Sequence, residues 1–106
     1  MYPQTRPQLT ARTLRRAISD LRDEPTWKDR PGFIALWGAC LDVVNADDTV
    51  FALAPVEVRS AARQVCAHCE NAVDLIETNG RRDLLDAHKT RAIKLGRTVL
   101  KYLGNA

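Results

Sequence analysis

A chain of 106 residues, 45% hydrophobic and 27% charged, fits a single globular domain with one core and rules out disorder over most of its length. No apolar run approaches the ~20 residues that a membrane helix needs, and the opening MYPQTRPQ resembles no export signal, so a cytoplasmic protein is expected. The net charge of +3 is unevenly spread: residues 1–31 carry seven basic and four acidic side chains, 32–58 none and four, 59–80 two and three, and 81–106 seven and two.

The first eight residues, with two prolines and no apolar period, read as a mobile extended arm. A helix is predicted from Leu9 to Asp23. Leu14, Ala17, Ile18 and Leu21 form its buried stripe, and Arg12, Arg15, Arg16, Ser19 and Asp23 face the solvent. EPTWKDRPG, residues 24–32, is a loop holding Trp27, with Asp29 or Arg30 capping the next helix and Pro31 in its first turn. Phe33 to Ala46 is apolar nearly all round, with only Gly38, Asp42 and Asn45 as a polar strip, so it belongs in the middle of a bundle. After Asp47, Asp48 and Thr49, the segment VFALA predicts a short helical turn, since nothing else in the chain could pair with it as a strand.

Pro55 then opens a long helix, Val56 to Thr78, which Asn79 and Gly80 end with a left-handed cap. Arg81 or Arg82 opens the last helix, which runs to Leu103. Four main helices with short connections predict a single all-α domain, a small antiparallel four-helix bundle.

The stretch CAHC, residues 66–69, has the spacing of half a zinc site. At 100° per residue, however, Cys66 and Cys69 fall inside the apolar stripe with Val58, Ala62, Val65, Ala72, Val73 and Ile76, while His68 lies on the edge and points away from them. They read as small core residues with reduced thiols. Cys40, Cys66, Cys69 and His88 would complete a tetrahedral set only if the bundle assembled them, and zinc knuckles set CxxC in a tight turn rather than within a helix. His88, flanked by Leu84, Leu95 and Val99, reads as a core histidine satisfied by a neighbour. No metal or other cofactor is therefore expected. No catalytic residues are expected either: the thiols look buried, Asp47 and Asp48 suit capping, and the five glycines are scattered singly.

The clearest functional signal is on the last helix. Arg91, Lys94, Arg97 and Lys101 gather on one half of its wheel with Thr90 and Thr98, opposite the apolar half, and Arg81 and Arg82 extend the positive field. Arg12, Arg15 and Arg16 form a second basic face on the first helix, and the two merge if those helices lie side by side. Such stripes suit a phosphate backbone. Trp27, beside Lys28 and Arg30, suits base stacking on single-stranded DNA.

A small, reduced, all-helical, mildly basic chain with no catalytic motif is similar in kind to the anti-CRISPR proteins of phages and mobile elements. The resemblance is one of type, covers the whole chain and transfers no residue. It implies a stoichiometric, non-enzymatic inhibitor of a CRISPR effector complex, of a type I system. The combined expectation is a nucleic-acid-binding inhibitor that engages exposed single-stranded DNA through the ten residues Arg12, Arg15, Arg16, Trp27, Arg81, Arg82, Arg91, Lys94, Arg97 and Lys101. One alternative is a DNA-mimic-like protein-interaction module using Asp42, Asp47, Asp48 and Glu57. A duplex DNA-binding regulator is another. None of the three involves a membrane or a small-molecule substrate.

Overall fold

The computed structural model describes residues 6–23, 29–45 and 55–104. Among them are four helices and no strand: α1 (Arg6–Asp23), α2 (Arg30–Val44), α3 (Val56–Glu77) and α4 (Arg82–Gly104). Each helix packs against its neighbour in sequence, and α1 closes the ring against α4, whereas α2 and α4 sit diagonally and barely touch. This is the all-α bundle expected from the periodicity. Trp27, Asp47, Asp48 and the VFALA segment lie outside the described residues.

The antiparallel order follows from specific meetings. A Cβ on Gly32, at the start of α2, would lie 3.0 Å from Leu21 near the end of α1. Arg30 at the start of α2 donates from Nε (3.1 Å) and Nη2 (2.9 Å) to Glu77 Oε1 at the end of α3. Both partners are half-exposed, so the pair reports register more than it adds stability. Leu14, Leu21, Phe33, Leu36, Val43, Val65 and Val99 are the largest fully buried side chains of the shared core.

Three features differ from the sequence reading. Helix α1 begins at Arg6, three residues earlier, because Pro7 falls in the first turn, where its fixed φ fits and its missing N–H is not needed. Helix α2 occupies a corner of the bundle and not its middle, and its strip of Gly38, Asp42 and Asn45 is exposed together with Ile34. Asp29 is the N-cap residue of α2, yet its side chain makes no cap hydrogen bond. Its carboxylate instead accepts from Lys89 Nζ at 2.6 Å, with Asp29 almost fully buried.

The turn between α3 and α4 is a Schellman motif. Asn79 N–H donates to Ile76 O and Gly80 N–H to Leu75 O at 2.8 Å, with Asn79 in the left-handed region at φ 54°. Asn79 thus takes the left-handed position, and Gly80 does not have a positive φ. Gly80 is needed for space, since the Leu75 side chain lies where a Cβ would be.

Candidate nucleic-acid interface

Helix α4 buries Leu85, Ala92, Val99 and Leu103, four positions at steps of seven, seven and four, on one side. That places Arg91, Lys94, Arg97 and Lys101 outside, and all four are exposed. At 1.5 Å per residue they span about 15 Å of helix. Among the described residues no ion pair engages any of the four. Arg82 is exposed in the first turn. Arg81 is exposed too, but Asp83 neutralises it: its Nε donates to Oδ1 at 3.0 Å, and Nη2 makes a second contact with Oδ2. The guanidinium holds the Asp83 carboxyl below its usual range, chiefly through that hydrogen bond.

Helices α1 and α4 do lie side by side, since a Cβ on Gly96 would meet Ile18 at 3.4 Å. The three arginines of α1 nevertheless divide. Arg12 and Arg16 line a groove with Pro31, Gly32 and Ala35, leaning toward α2. Arg15, one turn before Ile18, which meets Gly96, lies on the α4 flank of the α1 wheel. Arg12 and Arg16 thus line the α2 side of α1, the flank opposite to that of Arg15. Of the acidic residues in the alternative reading, Asp42 lines the other end of the α1–α2 groove, and Glu57 is exposed in the first turn of α3.

The thiols are core residues. Cys40 and Cys69 are fully buried and Cys66 half-buried, its Sγ 3.9 Å from the Trp37 carbonyl oxygen. Loss of solvation pushes the Cys69 thiol up to about 12 and the Cys66 thiol upward, and Cys40 is raised by burial and by the charges of the other two. Thiols held protonated in this way are poor nucleophiles. Among the described residues no group of three or more His, Cys, Asp or Glu side chains is arranged to hold a metal ion.

His88 is directed elsewhere. Its Nδ1 meets Nδ1 of His68 across the α3–α4 seam at 2.9 Å, with ring centroids 5.2 Å apart. The centroids exceed the nitrogen separation by about the two ring radii, so the nitrogens point head-on at one another. Two imidazoles sharing one tetrahedral zinc would hold their nitrogens about 3.3 Å apart and converge at an angle. The geometry here is that of an N–H···N hydrogen bond. Burial, then His88, then Arg91 push the His68 pKa down.

The pairing of His68 with His88 escapes any reading that treats each helix alone. Both residues stand at similar distances from the Thr78–Asn79 turn, and residues equidistant from the turn of a helical hairpin face each other. No such local signal marks Asp29 and Lys89, which are 60 residues apart. No family model matches the chain, and no curated protein or solved structure is significantly similar to it.

Proposed function

We propose that this bundle is a non-enzymatic protein that binds single-stranded nucleic acid along the outer face of α4, extended across the α1 seam by Arg15. The observation that carries the reading is the row of exposed cations Arg91, Lys94, Arg97 and Lys101, none neutralised by a described carboxylate, on one helix. Charge aligned over that length supplies sequence-independent affinity for phosphates. Single strands are favoured over duplex because α3 and α4, of 22 and 23 residues, form a long antiparallel hairpin. That hairpin lacks the short recognition helix that enters a major groove. Obstruction of a CRISPR effector, implied by the class resemblance, would be one use of such a face, and a plasmid-interference assay reads it directly.

The test is fluorescence anisotropy of a labelled oligo-dT strand against salt. Four phosphate contacts to a single strand predict log K falling with log salt at a slope of about −3. Replacing Arg91, Lys94, Arg97 and Lys101 together by glutamine should abolish the binding at unchanged helix content. Absence of binding at low salt, or a slope near zero, refutes the reading.

A further inference from the structure

The His68–His88 pair lies one helical turn from Arg91, on the flank that joins α3 to the exposed face of α4, and the row of four cations engages a strand without it. We propose that this pair, with Arg91, is a phosphate subsite of the nucleic-acid face, one that accepts a phosphodiester when the pair holds one proton beyond its neutral state. The proposal rests on the nucleic-acid reading above.

In the neutral pair one ring donates its Nδ1–H to the Nδ1 of the other. The donor ring then has a bare lone pair on Nε2, and the acceptor ring has an N–H there. Because the Nδ1 atoms meet head-on, both Nε2 edges are turned away from the contact, and among the described residues no hydrogen bond engages either. A bare Nε2 repels a phosphate oxygen. One proton added to that nitrogen makes the donor ring an imidazolium, preserves the Nδ1–H···Nδ1 bond in a charge-assisted form, and turns the repelling edge into a second outward donor. A second added proton would have to occupy the accepting Nδ1 and set two N–H groups face to face at 2.9 Å. The pair therefore takes up one proton and stops.

The charged groups that act on His68 among the described residues are His88 and Arg91, both on α4, and both oppose its imidazolium, as does half-burial. No described carboxylate of α1, α2 or α3 counters them. A phosphate held at Arg91 reverses the sign of that field. Reciprocity of coupling then requires that the proton favour the phosphate as much as the phosphate favours the proton. Affinity must rise as pH falls through the range in which imidazole titrates.

Oligo-dT binding is measured by anisotropy at about pH 8 and about pH 6 and constant ionic strength, for the wild type and the double variant His68→Gln/His88→Gln, with circular-dichroism melts confirming the fold at both pH values. The wild type should bind several-fold tighter at the lower pH, with a ceiling of about tenfold for each pKa unit by which the phosphate raises the pair. The double variant should keep the wild-type affinity at the higher pH and lose the pH response. Should the double variant fail to fold, the imidazole proton resonances of the wild type are titrated with and without saturating oligo-dT, and their midpoint should move upward on binding. Equal wild-type affinity at both pH values, a pH response that survives in the double variant, or an unmoved midpoint overturns the subsite and leaves the nucleic-acid reading intact. Absence of wild-type binding at both pH values overturns the two together.

Discussion

Gly38 sits on the exposed strip of α2, where a Cβ would meet nothing within 4 Å, whereas a Cβ on Gly80 would collide with the Leu75 side chain. Alanine should therefore act in opposite directions. Gly38→Ala removes the entropic penalty of glycine within a helix and should stabilise by about 0.5–1 kcal/mol. Gly80→Ala must displace Leu75, a flexible side chain, and should destabilise by about 1 kcal/mol, the low end for overpacking; urea midpoints check both. The buried thiols predict an alkaline dependence. An unfolded Cys69 ionises near 9.0, while the folded one keeps its proton up to about 12. Above the first value the unfolded chain releases a proton that the native state retains, so stability is full below it and falls as pH rises toward the second. Each such thiol contributes a loss of up to about 1.4 kcal/mol per pH unit. Cys69→Ala should show a shallower decline of the urea midpoint between about pH 9 and 10, whatever its absolute stability.

At the scale of the helix, periodicity carries most of what the sequence makes legible. The buried stripe of α1 and the apolar half of α4 follow from steps of three, four and seven, and those steps alone place Arg91, Lys94, Arg97 and Lys101 in solvent. What a single helix does not show is its neighbour. Arg12, Arg15 and Arg16 share the solvent side of α1 on a wheel, and only the packing of α2 on one flank and α4 on the other divides them. Under the proposed function that division is measurable: Arg97→Glu should weaken oligo-dT binding by about tenfold or more, whereas Arg12→Glu, on the far flank, should change it less than threefold at moderate salt, where exposed charges more than a Debye length apart are largely screened. Equal losses in the two variants would mean that net charge, and not this face, governs the affinity. Asp29 illustrates the same blindness. An aspartate just before a proline-opened helix reads locally as a cap, and the partner that outcompetes the helix terminus is a lysine 60 residues further along the chain.

Across the whole molecule, the fold class is legible because each helix announces its own apolar face, and the site is only half legible because its second half depends on pairings between helices. The ion pair of Asp29 with Lys89 is such a pairing. It joins the start of α2 to α4, the diagonal helices that otherwise barely meet. Replacing Lys89 with methionine leaves a nearly buried carboxylate without this partner and should destabilise by about 3 kcal/mol. The time course of folding adds a further consequence. Neither the α1–α2 hairpin nor the α3–α4 hairpin contains both partners, and 60 residues separate them, so the contact is expected to close late on the route to the native state. Lys89→Met should therefore leave the refolding limb of a chevron almost unmoved and raise the unfolding limb by about 100-fold. The pair would then serve as a latch on escape, setting how long the assembled bundle lasts rather than how quickly it forms.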